Sequence, residues 1–134
     1  MRNFRRRIVP LAIFAILCTT LSCGSSTEPF ALGKLSVKVV DANNVGIFGA
    51  YADLYKGVPG SGVLWRASLT SSDGTAVFGA ADGGVSVGTY YIHLTFNSAH
   101  QLAPGETNDR PVNVTEGADI VITFHAEAKP HAGP

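Results

Sequence analysis

The chain has 134 residues, and its ten Lys and Arg residues balance ten Asp and Glu residues, so the formal charge at pH 7 is zero. The chain has no basic excess of the kind that would indicate a nucleic-acid surface, and no nucleic-acid partner is expected. With two cysteines the chain can form one internal disulfide at most.

The first 22 residues are typical of an export leader. Four arginines lie within the first seven residues, and an apolar run of about 14 residues follows at 8–21. This run is shorter than the roughly 20 residues that a bilayer-spanning helix needs. It ends in Leu21-Ser22-Cys23-Gly24, which resembles the lipobox of bacterial lipoproteins.

The lipobox resemblance implies that Cys23 is acylated and becomes the N terminus of the mature chain. Cys18 is removed with the leader, so the mature domain has no disulfide. Gly24, in place of Asp, resembles the pattern that directs lipoproteins to the outer membrane. The alternative is an ordinary signal peptide cut nearby, because Thr20 stands where the family prefers Leu.

Removal of residues 1–22 leaves 112 residues, a normal size for one domain. Six basic and ten acidic residues then remain, which gives a charge of about −4. We expect the lipid-bearing cysteine and a polar tether over 23–32, a folded domain over 33–127, and a disordered tail rich in Pro and Gly over 128–134.

Between tether and tail, apolar residues alternate with polar ones in short runs that Gly, Asn, Asp and Pro interrupt. This pattern predicts an all-β sandwich. The seven predicted strands are, in chain order, 34–41, 50–55, 63–69, 75–79, 88–97, 110–115 and 119–126. Period two assigns to the core Leu35, Val37, Val39, Ala50, Ala52, Leu54, Ala76, Phe78, Tyr90, Ile92, Leu94, Phe96, Ile120, Ile122 and Phe124, and it turns Val40 outward.

Three segments carry a further resemblance: LSVKVVDANNVGIFGAYADLYKG at 35–57, TSSDGTAVFGA at 70–80 and GTYYIHLTF at 88–96. They are similar to strands of the transthyretin (prealbumin) and 5-hydroxyisourate hydrolase family. They are equally similar to carboxypeptidase regulatory-like and Cna-B-type modules of the same fold. The resemblance implies a seven-stranded transthyretin-like (Ig-like) β-sandwich.

The hydrolase activity of that family is not expected here. Lys38 stands where the hydrolases carry a catalytic histidine, Thr75 follows the Asp-Gly turn where they carry an arginine, and the chain ends in His-Ala-Gly-Pro in place of their Tyr-Arg-Gly-Ser. The first and last strands are neighbours in the transthyretin fold, so Lys38, Thr123 and His125 would mark the remaining site face. No catalytic residue, cofactor or metal is expected, since the four histidines lack metal-ligand spacing.

Cna-B-type domains often carry an internal Lys–Asn isopeptide bond, which this chain is not expected to form. Lys34 and Lys38 could supply the amine. The last predicted strand has no asparagine, and Asn113 lies one strand too early.

Three tyrosines and one histidine form a candidate binding patch. Tyr51 and Tyr55 on the second strand, and Tyr91 and His93 on the fifth, point outward by period two. These strands lie side by side in the transthyretin fold, so the four side chains would share one face. Aromatic rings with polar handles suit sugar or protein contacts. The alternative is that tyrosine is simply favoured in strands.

The sequence therefore favours an exported lipoprotein, tethered to the envelope by its lipid and facing the periplasm or the cell surface. Its sandwich would be a non-catalytic binding or structural module with a protein or carbohydrate ligand. Two alternatives stay open: a divergent 5-hydroxyisourate hydrolase, and a small-ligand carrier of the transthyretin type.

Overall fold

A computed structural model describes residues 31–97, 99–131 and 133. The predicted signal peptide, Cys23 and most of the tether lie outside these residues. Within the described residues, no helix has the length and apolar character needed to cross a membrane. The elements are β1 (Leu32–Val40), β2 (Tyr51–Lys56), β3 (Val63–Leu69), β4 (Thr75–Phe78), a 3-10 helix (Ala80–Asp82), β5 (Val85–Ser86), β6 (Gly88–Thr95), β7 (His100–Leu102), β8 (Asp109–Val114) and β9 (Asp119–Ala128).

The strands form two sheets, which confirms the predicted all-β sandwich. The first sheet has the order β4-β1-β9-β7, and β5 also pairs with β1. The second sheet has the order β3-β2-β6-β8. Strands β1 and β9 are parallel neighbours, and every other pair is antiparallel. The expected contacts between the first and last strands, and between β2 and β6, are therefore present.

The core lies between the two sheets. It contains most of the side chains that the alternation of apolar and polar residues predicted to be buried. Leu35, Val37 and Val39 of β1 and Tyr90, Ile92 and Leu94 of β6 belong to one core cluster, and all six are at most 1% exposed. The Tyr90 hydroxyl donates to the carbonyl of Ser86 at 2.9 Å, so its buried polar atom is satisfied. Three predicted core residues are half-buried and pack against the core from its margin, namely Phe96, Ile120 and Ile122.

Some strand details differ from the prediction. Val40 was expected to face solvent but is 2% exposed. The chain doubles back at this point: Val40 forms a bridge with Gly46, and Ile47 N–H donates to the Val39 carbonyl at 2.9 Å. The structure also adds β5 and β7, which have two and three residues and are too short to show a period.

The predicted Asp-Gly turn joins β3 to β4. Gly74 adopts φ 79°, where a side chain would be strained. Hydrogen bonds from the Ser71 hydroxyl, and then from the Thr75 backbone N–H, hold the pKa of the Asp73 carboxyl below its ordinary value of 3.8. The turn is therefore best satisfied with Asp73 ionised.

Candidate binding face

The outer side of the second sheet carries the predicted patch in cross-strand rows. Tyr55 of β2 lies directly opposite Tyr91 of β6. Leu64 of β3 pairs with Tyr55, and Pro111 of β8 pairs with Tyr91, so one row crosses all four strands. We call Leu64, Tyr55, Tyr91 and Pro111 the aromatic row. Neighbouring side chains in such a row have Cβ atoms about 4.5–5.5 Å apart, which places the two tyrosine rings in reach of one ligand.

A polar row follows two residues further along the sheet. His93 of β6 lies opposite Asp53 of β2 on one side and Asp109 of β8 on the other. Its Nδ1 is 2.6 Å from the Asp109 Oδ1, and the His93 side chain is 27% exposed. We call Asp53, His93 and Asp109 the polar row. It places hydrogen-bonding groups about 7 Å from the aromatic row.

Tyr51 lies at the far end of the same face. It pairs with Leu69 of β3 and Thr95 of β6, and it is 51% exposed. It lies four positions before Tyr55 along β2, at a distance of about 13 Å. The structure thus brings Tyr55, Tyr91 and His93 together and places Tyr51 on the same face at a distance.

The residues of the expected site face share the outer side of the first sheet. Lys38 of β1 lies opposite Thr123 of β9, and His125 lies one row further, opposite Val40. Lys38 and His125 are exposed. The His125 Nδ1 is 2.8 Å from Oε1 of Glu106. Lys38 therefore lies on an exposed sheet surface, while His125 contacts a carboxylate whose side chain is only 16% exposed.

Sequence reasoning missed Arg110, which links the two sheets by a hydrogen bond and forms an ion pair with Glu106. Arg110 of β8 donates from Nη1 to the Thr123 carbonyl of β9 at 2.7 Å. Its Nη2 faces the carboxylate of Glu106, whose side chain is 16% exposed, as an ion pair. The alternation of side chains along β8 could have indicated this contact. Val112 and Val114 are buried, and Arg110, two residues before Val112, points to the same side of the strand.

No group of three or more His, Cys, Asp or Glu side chains able to hold a metal ion occurs in the part of the chain that the structure describes. Lys34 and Lys38, the candidate isopeptide donors, are both exposed. Asn113 lies on the outer face of β8, where its side chain contacts Thr89 at 3.4 Å.

No family model matches the sequence, and no curated protein matches it. Several solved structures are similar to the chain. The chain is similar to the TIE protein of Bacillus anthracis, with a TM-score of 0.56 and 16% identity, over 73% of this chain and 17% of that one. It is also similar to the minor pilin of Streptococcus agalactiae, with a TM-score of 0.54 and 13% identity, over 78% of this chain and 48% of that one. A third similar structure is a streptococcal ancillary pilin, with a TM-score of 0.53 and 16% identity, over 72% of this chain and 32% of that one.

The chain has a β-sandwich fold similar to parts of these three proteins. This agreement supports the transthyretin/Cna-B-like fold that the sequence resemblance implied. The chain spans less than half the length of each of the three proteins. At 13–16% identity the likeness concerns the fold, because one sandwich serves many unrelated functions.

Proposed function

We propose that the chain is an exported lipoprotein, cleaved before Cys23 and anchored through it to the outer membrane, whose sandwich is a non-catalytic binding or structural module. The signal peptide would be 1–22, the tether 23–32, the domain 33–127 and the tail 128–134. Two of the three similar structures are pilins, which is in keeping with a module of the cell envelope.

The observation that carries the binding role is the direct pairing of Tyr55 with Tyr91 on a solvent-facing sheet, beside His93 and its two carboxylate neighbours. Flat rings supply apolar contact area, and the adjoining polar row supplies hydrogen bonds. The ligand would therefore be a carbohydrate or a protein surface that lies flat against the sheet. On the opposite face, Lys38 and His125 are exposed and lie in different rows of the sheet, which favours a module over a hydrolase.

Lipidation can be tested by feeding cells an alkyne analogue of palmitate. We expect label on the wild-type chain and none on Cys23→Ser, because the thiol is the group that accepts the lipid. Cys18→Ser is the matched control and should stay labelled, since Cys18 lies in the removed leader. When the leader is replaced by an ordinary cleavable signal, the domain should move from the membrane to the soluble fraction. Label that persists on Cys23→Ser would refute the anchor.

The binding face can be tested with a panel of immobilised glycans. We expect the double variant Tyr55→Ala, Tyr91→Ala to weaken binding to the best glycan by about tenfold or more, since each aromatic contact is worth about 0.5–1.5 kcal/mol beyond its buried area. The control is Val77→Ala, Val121→Ala, which removes two exposed side chains from the outer face of the first sheet. Equal binding by the double tyrosine variant and the wild type would exclude this face as the glycan site.

A further inference from the structure

The outer face of the second sheet carries negative charge that no basic residue of its four strands offsets. These strands contain two acidic residues, Asp53 of β2 and Asp109 of β8, and both belong to the polar row of that face. They also contain three basic residues, Lys56, Arg66 and Arg110. The side of the sheet on which these three charges lie decides the sign of the face.

All three basic residues direct their charge away from the outer face. The Lys56 ammonium lies 5.9 Å from the centre of the ring of Tyr90, which is a core residue. Arg66 pairs with Asp82, which lies between two strands of the first sheet, β4 and β5. Arg110 bonds to a backbone carbonyl of the first sheet. The outer face is therefore anionic, and a cationic ligand complements it.

Asp53 supplies the carboxylate of this face that is open to a ligand. Asp109 already has a partner, because the Nδ1 of His93 lies 2.6 Å from its Oδ1. None of the ion pairs among the described residues includes Asp53. Asp53 is half-buried and lies opposite Ala67 of β3, whose small side chain leaves space beside it. A carboxylate held partly out of water gains from a ligand that supplies a cation.

Two tyrosines flank Asp53 along β2. Tyr51 precedes it by two residues and Tyr55 follows it by two, so the three side chains share the outer face at intervals of about 7 Å. The faces of aromatic rings attract cations, and this attraction adds to that of a neighbouring carboxylate. The surroundings of Asp53 therefore suit an ammonium group that has an apolar ring beside it.

We propose that this face binds a glycan that carries free amino groups, and that Asp53 binds the ammonium. The inference rests on the proposed binding role of the face and names the class of its ligand. An amino sugar carries its ammonium on the ring, so one sugar residue presents an apolar side to Tyr55 and its nitrogen to Asp53. A lysine side chain carries its ammonium on a flexible stem and has no flat side for the tyrosines, so a basic protein surface fits less well. Glycans that carry carboxylates or sulfates are repelled by the face.

The test is calorimetric titration of the full chain, purified in detergent, with a glucosamine oligomer and with its N-acetylated form. In mildly acidic buffer the first oligomer is cationic and the second is neutral, and we expect the cationic form to bind about tenfold more tightly. Asp53→Asn should abolish this preference, because the amide has the shape of the carboxylate without its charge. Asp119→Asn is the matched control, since it removes an exposed carboxylate of β9 in the first sheet, and it should keep the preference.

The amine preference and the binding role of the face fail in different ways. Equal affinity for the two oligomers overturns the amine preference, and if that binding is lost in Tyr55→Ala, Tyr91→Ala, the binding role of the face stands. An amine preference that survives Asp53→Asn overturns the role of Asp53. Binding of neither oligomer overturns the proposal, and if a lysine-rich peptide then binds in an Asp53-dependent way, the ligand is a protein surface. Circular dichroism checks that each variant is folded, and the comparison of the two oligomers on the wild type decides without any variant.

Discussion

Replacement of Phe124 by alanine is expected to destabilise the domain by about 3–5 kcal/mol, the usual cost of truncating a buried aromatic side chain. Phe124 lies in the central part of β9, is 0% exposed and pairs with Val39 of β1. The guanidinium carbon of Arg110 lies 4.4 Å from the centre of its ring. With a total stability of about 5–15 kcal/mol for an ordinary domain, a loss of this size leaves little reserve.

Urea unfolding of the two proteins at pH 7 measures this difference. Val121→Ala is the matched control, since it truncates a residue of the opposite parity on the same strand that is 55% exposed. Its cost should be within about 0.5 kcal/mol. A loss below about 1 kcal/mol for Phe124→Ala would mean that β9 does not turn this side chain into the core.

Most of the fold follows from local pattern, and β3 and β9 show why. Gly62 and the Ser71–Gly74 turn bound the predicted strand 63–69, which the structure reproduces as Val63–Leu69. On β9 the alternation of apolar and polar residues places Phe124 inward and His125 outward, as observed. Strand boundaries and parity are local properties, so a single sequence carries them.

The details that the sequence did not predict depend on partners outside the segment concerned. Strand β5 has two residues and exists because Val85 pairs with Gly33 of β1, which is remote in sequence. The burial of Val40 depends on the chain returning to Gly46 after an irregular turn. Neither segment has a periodic pattern of its own that would have predicted its structure.

The candidate binding face was predictable only in part. Parity and the fold resemblance placed Tyr51, Tyr55 and Tyr91 on one face of neighbouring strands, and the structure adds that Tyr55 lies directly opposite Tyr91. Asp109 was outside the predicted strand, so the carboxylate that contacts His93 was not foreseen. Strand ends are where sequence patterns are least reliable, and this polar contact lies at one of them.

The pair of Arg110 and Glu106 is the second site where a large effect is expected. Arg110→Ala should cost about 2–4 kcal/mol, because it leaves the Glu106 carboxylate, which is 16% exposed, with His125 as its remaining neighbour and removes a hydrogen bond to the Thr123 carbonyl. It also uncovers the ring of Phe124. Glu106→Ala, Arg110→Ala together should cost less than the sum of the two single changes, since the partly buried carboxylate that has lost Arg110 is then absent.

Arg66→Ala is the matched control, because it breaks an ion pair with Asp82 in which the two side chains are 42% and 51% exposed. Water screens that pair, so its loss should cost no more than about 1 kcal/mol. Urea unfolding of all four variants at pH 7 gives the comparison. Equal costs for Arg66→Ala and Arg110→Ala would show that the Arg110 contact is no stronger than a surface pair, and that the two sheets are held together here by apolar packing alone.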